Sequence, residues 1–62
     1  MEMRLMEKTG HTEIKCSVKN YPRYAPIIES YIALHGGRKQ SENSRFIYFE
    51  VFADLLNGNM RR

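Results

Sequence analysis

Residues 1–20 alternate apolar and polar positions in two short runs. The apolar residues are Met1, Met3 and Leu5 in the first run and Ile14, Cys16 and Val18 in the second. A period of two is typical of strands that bury one face. Between the runs, Gly10 can make a tight turn because glycine adopts positive φ without strain. The pattern predicts a β-hairpin of residues 2–8 with residues 12–19. The outward side chains of its second strand would be Glu13, Lys15, Ser17 and Lys19.

After residue 20 the apolar spacing changes to the helical period of about 3.6 residues. The residues that follow this period are Tyr24, Ile27, Ile28, Tyr31, Ile32 and Leu34. Asn20 can cap the helix, and Pro22 suits its first turn, where a missing N–H costs no hydrogen bond. Gly36-Gly37 can end it in a left-handed conformation. We expect a helix that begins near residue 23 or at Pro26 and ends at these glycines.

Residues 41–59, SENSRFIYFEVFADLLNGN, contain four of the seven aromatic residues and fit two structures. In a strand over residues 45–52, one face would carry Phe46, Tyr48, Glu50 and Phe52, and the other would carry Ile47, Phe49 and Val51. β-Branched and aromatic residues favour this strand. In a helix, the polar residues form one narrow stripe of Asn43, Glu50, Asp54, Asn57 and Arg61. Asn43 or Ser44 can cap its start, and Asn57-Gly58 can close its end.

The ordered polar stripe and a cap at each end favour the helix, with a length of about 14 residues. The predicted fold is therefore α+β, with an N-terminal strand or hairpin followed by two helices. If residues 45–52 form a strand instead, the order becomes β-β-α-β. In both structures the segment has more apolar surface than so small a chain can cover. A second copy would cover it, and the predicted dimer interface is Tyr48, Phe49, Val51, Phe52, Leu55 and Leu56.

Length and composition support association. Residues 1–62 make a single small domain, and a chain of this size buries only about 60% of its unfolded surface. Cys16 is the only cysteine, so disulfides cannot add stability, and a reducing, cytoplasmic location is expected. We expect neither a secretory signal nor a membrane span, because charges interrupt the N-terminal residues and no run approaches roughly 20 apolar residues.

Catalysis is the least expected function. The sequence has no paired carboxylates at a working spacing, no Gly-rich phosphate loop and no motif for a metal or cofactor. Cys16, His11 and His35 are a possible nucleophile and bases, but their spacing is not diagnostic. We interpret Cys16 as a core residue on the inward side of its strand, and His35 as a residue of the helix end. The protein is predicted to be no enzyme and to need no cofactor.

Several features resemble the ribbon-helix-helix family of small dimeric DNA-binding repressors. They are the alternating EIKCSVK, Pro22 at the helix start, Ala33 in the helix, Gly37-Arg38 after it, and SENS before the second helix. The resemblance implies that strands of two subunits pair into a ribbon that enters the major groove, and that the second helix binds a phosphate at its start. It places Lys15, Ser17 and Lys19 at bases and Asn43, Ser44 and Arg45 near a phosphate. An N-terminal strand paired within the chain would occupy the edge that this ribbon needs.

The net charge of +3 is mild, but its placement adds a functional hypothesis. The cations that could attract phosphates are Lys15, Lys19, Arg23, Arg38, Lys39 and Arg45. The first hypothesis is a small dimeric DNA-binding protein, a transcriptional regulator of phage or plasmid type. The alternative is a small adaptor or inhibitor of a host protein, anchored by Tyr21, Arg23 and Tyr24, since Tyr and Arg dominate interface hot spots.

Overall fold

A computed structural model describes residues 1–57 as four strands and one helix. The elements are β1 (Glu2–Met6), β2 (His11–Ser17), α1 (Tyr21–His35), β3 (Gly37–Glu42) and β4 (Phe46–Val51). The strands form one antiparallel sheet in the order β1-β2-β4-β3, so β2 and β4 are inner strands and β1 and β3 are edges. α1 packs on one face of the sheet, which we call the helix face. No helix or strand of residues 1–57 covers the opposite face, which we call the open face.

The N-terminal hairpin forms as the alternation predicts. Met3 lies opposite Ile14 and Leu5 opposite Thr12, all with their side chains on the helix face. The strands are shorter than expected because the turn takes up residues 7–10. Gly10 has a φ of 74°, and its N–H donates to the carbonyl oxygen of Met6 at 2.8 Å. Glycine suits this turn because a positive φ strains residues that carry a Cβ atom.

The predicted first helix is present, and it begins earlier than expected, at Tyr21. Pro26 consequently lies in the second turn, where it removes one backbone hydrogen bond. The helix ends at the glycines as predicted. Gly36 has a φ of 84°, and its N–H donates to the carbonyl oxygen of Ile32 at 2.8 Å. The chain then turns directly into β3.

The predicted fold class is wrong, because no second helix follows α1 in residues 36–57. Residues 46–51 form the strand β4, which was the alternative, and residues 37–42 form a strand that neither prediction contained. β4 pairs with β2 over its whole length. Its alternation matches the two environments, with Ile47, Phe49 and Val51 buried on the helix face and Phe46 and Tyr48 on the open face. The prediction therefore gave too little weight to β propensity.

Of the polar residues that suggested a helix, Glu50 lies in β4, and Asn43 and Asp54 make turns. Asn43 Oδ1 accepts the backbone N–H groups of Arg45 and Phe46, each at 2.8 Å. Asp54 Oδ1 accepts those of Leu56 and Asn57, each at 3.1 Å. Asn and Asp bind nearby N–H groups in the same way at helix starts and in turns. These residues therefore could not distinguish the two structures. The rest of the predicted C-terminal cap and stripe, Gly58 and Arg61, lies outside the described residues.

β3 is a polar edge strand that pairs only with β4 in the described part of the chain. Its residues, GRKQSE, have no apolar alternation, and the pairing register shifts between Lys39 and Ser41. Gly37 passes so close to β4 that a Cβ atom there would collide with the carbonyl oxygen of Glu50. The position therefore excludes any larger residue.

The core lies between the two inner strands and α1. Its buried residues are Ile14, Cys16, Ile28, Ile47, Phe49 and Val51. Cys16 is fully buried, as predicted for an inward-facing residue. Tyr21 stacks on Phe49 with 5.7 Å between ring centroids. Buried Thr12 joins the C-terminal turn to the sheet, because its hydroxyl donates to the Ala53 carbonyl and accepts the Leu55 N–H.

Adjacent isoleucines of α1 test this packing. Ile28 is fully buried, whereas Ile27 is 44% exposed. We expect Ile28→Ala to lower the free energy of unfolding by about 2–5 kcal/mol, through lost burial and the cavity left behind. Ile27→Ala should change it by less than about 0.5 kcal/mol. Urea denaturation followed by circular dichroism measures both. Equal effects of the two substitutions would contradict the described core.

Candidate nucleic-acid interface

The open face brings charged and aromatic side chains of several strands onto one surface. Successive side chains of a strand point to opposite faces, so every second residue of each strand lies on this face. They are Glu2, Arg4 and Met6 on β1, His11, Glu13, Lys15 and Ser17 on β2, Phe46, Tyr48 and Glu50 on β4, and Arg38 and Ser41 on β3. These residues form two regions of different chemistry, one at each end of the inner strands.

A row of four charged residues crosses the sheet at one end. Arg4, Glu13, Glu50 and Arg38 are successive neighbours in the three strand registers. Arg4 Nη2 lies 2.7 Å from Glu13 Oε1, and Arg38 Nη2 lies 3.3 Å from Glu50 Oε1. The two carboxylates lie directly opposite each other on β2 and β4, which destabilises a sheet unless cations are near. The flanking arginines balance this charge.

His11 gives Glu50 an additional partner. Its Nδ1 lies 2.7 Å from Glu50 Oε2, and an ionised carboxylate only accepts, so Nδ1 carries the hydrogen. This hydrogen bond holds the pKa of Glu50 below its ordinary value of 4.5. The charge of Arg38 acts in the same direction, while burial opposes both. Glu50 is only 8% exposed, so it is a structural anion within the sheet.

The opposite end of the inner strands is basic and aromatic. Lys15 lies opposite Tyr48, and Ser17 lies opposite Phe46. The two aromatic ring centroids are 6.5 Å apart, and Lys15 Nζ lies 4.3 Å from the centroid of Phe46. Each of the four side chains is half-buried and keeps part of its surface accessible. We call these four residues the basic-aromatic site.

Two turns place further cations beside this site. Lys19 lies in the turn between β2 and α1, and Arg45 lies in the turn between β3 and β4. The N–H of Val18 donates to the carbonyl oxygen of Arg45 at 2.9 Å, which joins the two turns. Within residues 1–57, Lys15, Lys19 and Arg45 form no ion pair, although Glu2 lies opposite Lys15 on β1. This end therefore has excess positive charge.

Three of the predicted phosphate-binding cations lie elsewhere. Arg38 belongs to the balanced charged row, where it pairs with Glu50. Lys39 Nζ lies 2.8 Å from Glu42 Oε1, and the hydrogen bond and charge of Glu42 raise the pKa of Lys39. Arg23 lies on α1, on the other side of the sheet from the basic-aromatic site. The structure thus brings together only Lys15, Ser17, Lys19 and Arg45 from the predicted set.

The predicted phosphate site at the start of a second helix does not form, since residues 43–45 begin no helix. Asn43 uses its side-chain oxygen within the turn, where it binds the N–H groups of Arg45 and Phe46. Ser44 is exposed in the same turn. The backbone donors expected to bind phosphate are therefore partly occupied, and Arg45 contributes through its side chain.

The residues predicted for a dimer interface lie in different environments. Phe49 and Val51 are in the core, Leu55 packs against the core, Tyr48 is on the open face, and Phe52 and Leu56 are exposed. The chain itself buries Phe49 and Val51, so these two residues no longer require a second copy. Dimerisation stays a prediction, and its proposed interface needs other residues.

Sequence reasoning omitted Phe46 from the site, assigned Tyr48 only to a dimer interface, and missed the charged row. The signal for Phe46 was the strand alternation of residues 45–52, which places it beside Tyr48 on one face. The row had no such signal, because its members come from four strands. The contact of His11 with Glu50 had no local signal either, since the two residues are 39 positions apart. Only the register of β2 with β4 brings them into contact.

Comparisons with family models, curated proteins and solved structures found no match to the chain. In the described residues, no helix is both long and apolar enough to cross a membrane. The same residues contain no cluster of three His, Cys, Asp or Glu side chains that could hold a metal ion. The arrangement of side chains on the open face is therefore the basis for a functional proposal.

The His11–Glu50 contact predicts a specific pH response. Because the pKa of Glu50 is lowered in the folded protein, its stabilisation is fully present above about pH 4.5 and is lost as the pH falls through the folded value. His11→Leu removes the main cause, so the pKa of Glu50 should rise towards 4.5. The carboxyl carbon shift of Glu50, followed by NMR from pH 2 to pH 7, measures it.

His35→Leu is the matched control, because His35 lies at the end of α1 and has no contact with Glu50. It should leave the titration of Glu50 unchanged. The neighbouring charges Glu13, Arg4 and Arg38 are retained in both variants. An unchanged pKa of Glu50 in His11→Leu would show that the hydrogen bond is not the cause.

Proposed function

We propose that the protein binds single-stranded nucleic acid on the open face of its sheet, at the basic-aromatic site and the two turns beside it. The observation that carries this proposal is the position of Phe46 and Tyr48, on an inner strand and next to cations that pair with no carboxylate of residues 1–57. Proteins that bind single strands combine such cations, which contact phosphates, with aromatic rings on which bases stack. The role needs no catalytic group.

The arrangement of strands favours a single strand over a duplex as ligand. Inserting a two-stranded ribbon into a major groove requires a ribbon that projects from the protein. Here β2 is paired on both sides, with β1 and β4, and cannot form a ribbon with a second copy. An uncovered sheet face that presents aromatic rings instead suits unstacked bases, as in four-stranded RNA-binding sheets. Bases within a duplex are already stacked and could not reach the rings.

The energies of the contacts support binding despite the position of Lys15. Its ammonium group lies over Phe46, where a base would stack, so binding requires this group to move towards a phosphate. An exposed cation–π contact contributes about 0.5–1 kcal/mol. Stacking of one base on an aromatic side chain contributes about 1–3 kcal/mol. The exchange is therefore favourable, and it also gives Lys15 a phosphate partner.

A regulatory role remains a prediction, and it depends on which nucleic acid the protein binds. The alternative, an adaptor that binds a host protein, has lost part of its basis. Tyr21 and Tyr24, two of its predicted anchors, pack against the core of the chain. Arg23 remains exposed on α1. Absence of nucleic-acid binding would return this alternative to first place.

The proposal predicts a ligand preference and a salt dependence. Fluorescence polarisation with labelled single strands of DNA and RNA, and with a duplex of equal length, measures both. We expect single strands to bind at least tenfold more tightly than the duplex. If Lys15, Lys19 and Arg45 each neutralise one phosphate, affinity should fall about twentyfold between roughly 50 and 200 mM salt. No binding to single strands at the lower salt concentration would refute the proposal.

Two matched pairs of variants localise the site. Phe46→Leu should weaken binding about 5-fold to 100-fold by removing a stacked base, whereas Phe52→Leu changes an exposed ring elsewhere and should have little effect. Lys15→Gln should weaken binding and reduce the salt slope by about 0.7. Lys8→Gln removes the same charge from the β1–β2 turn and should do neither. If the two variants of each pair weakened binding equally, the binding would be general charge attraction and not recognition at the proposed site.

A further inference from the structure

The two edges of the sheet differ in their capacity to accept another strand. β3 has the features that prevent edge pairing, which are exposed polar and charged residues and a register shift between Lys39 and Ser41. β1 has neither an irregular register nor a proline, and it pairs regularly with β2 from Glu2 to Met6. An edge of this kind is a template for a further strand.

The apolar side chains of β1 are also incompletely covered. α1 packs against β2, β3 and β4 but not against β1. Met3 packs against the core, yet it and Leu5 are only half-buried on the helix face, and Met1 is 39% exposed. A strand added to this edge would extend the sheet and cover these side chains.

We propose that the added strand is β1 of a second copy, paired antiparallel around a two-fold axis at Met3. In this register Glu2 of each copy lies opposite Arg4 of the other on the open face, and Met1 lies opposite Leu5 on the helix face. Two opposite-charge pairs form by symmetry, each contributing to strand pairing. Arg4 already contacts Glu13, yet its side chain is 74% exposed and can accept a second carboxylate.

Charge selects this register over the next one. A shift of the two-fold axis to Arg4 would place the Arg4 residues of both copies opposite each other, and like charges in that position are unfavourable. The two-fold axis also cannot fall between two residues, because odd-numbered residues would then lie opposite even-numbered ones. Their side chains are on different faces of the sheet, so the pleat excludes this pairing. The self-complementary sequence Glu2-Met3-Arg4 therefore points to a second copy as the occupant.

The dimer would form one eight-stranded sheet with both open faces on the same side. The two β2 strands would be separated by three strand spacings, or about 14 Å. Lys15 and Ser17 of both copies would then lie on one continuous surface. The proposed interface does not depend on nucleic-acid binding, so its test uses the protein alone.

The test exploits the charge pairs. Glu2→Lys alone and Arg4→Glu alone each place like charges opposite one another in both symmetric pairs. Each should weaken homodimerisation about tenfold or more. Mixed together, the two variants restore opposite charges in both pairs, so the heterodimer should form with nearly wild-type affinity. Native mass spectrometry and sedimentation, on chains without an N-terminal tag, measure all three species.

Glu7→Lys is the control, because it makes the same charge change in the turn, beyond the paired residues. It should leave the dimer unchanged. A second measurement uses the unmodified chain, so that it does not depend on whether Arg4→Glu folds. Amide exchange of β1 should slow as concentration rises, while exchange of β3 should not.

Three results would overturn the proposal. The first is a wild-type chain that stays a single copy at high concentration with unchanged β1 exchange. The second is a dimer that Glu2→Lys does not weaken, which would place the interface elsewhere. The third is a mixture of folded variants that forms no heterodimer. Heterodimer formation from two weakened variants would support the stated register.

Discussion

Antiparallel pairing of β2 with β4 determines both faces of this small protein. It places Ile14 beside Phe49 and Cys16 beside Ile47 on the helix face, where α1 covers them. The intervening residues of the same two strands then form the open face. A slip of β4 by one residue would turn its side chains over, placing Glu50 in the core and exposing Phe49. Core and candidate site are therefore two consequences of a single register.

That register also brings two carboxylates together, which is an electrostatic cost. Glu13 and Glu50 occupy opposite positions on the inner strands, where neither can move far from the other. Arg4 and Arg38 come from the two edge strands, and His11 comes from the start of β2. All four strands thus contribute to one balanced network. Because these charges compensate one another, Lys15, Lys19 and Arg45 give the other end of the inner strands its excess positive charge.

How far the sequence predicts this structure depends on the range of the interactions involved. The hairpin and α1 follow from local patterns, namely period-two alternation and a helical apolar stripe with glycines at its end. Residues 45–52 carry both a strand pattern and a helical polar stripe, and local reasoning chose wrongly. Pairing with β2, about 35 residues earlier in the chain, decides between them, and such non-local contacts override local preferences. β3 had no signal, because a polar edge strand needs no apolar alternation.

In the candidate site, too, local features could be predicted from the sequence and non-local contacts could not. The outward position of Lys15 and Ser17 could be read from the alternation of β2, whereas their proximity to Phe46 and Tyr48 required the correct assignment of β4. The original reason for a dimer held for helix and strand alike, because the sequence alone did not show that the chain itself buries Phe49 and Val51. In the observed fold the uncovered apolar side chains include those of β1, which α1 does not reach. The proposed dimer contact therefore moves from the C-terminal segment to the N-terminal edge, where the charges of Glu2 and Arg4 suggest how a second strand would align.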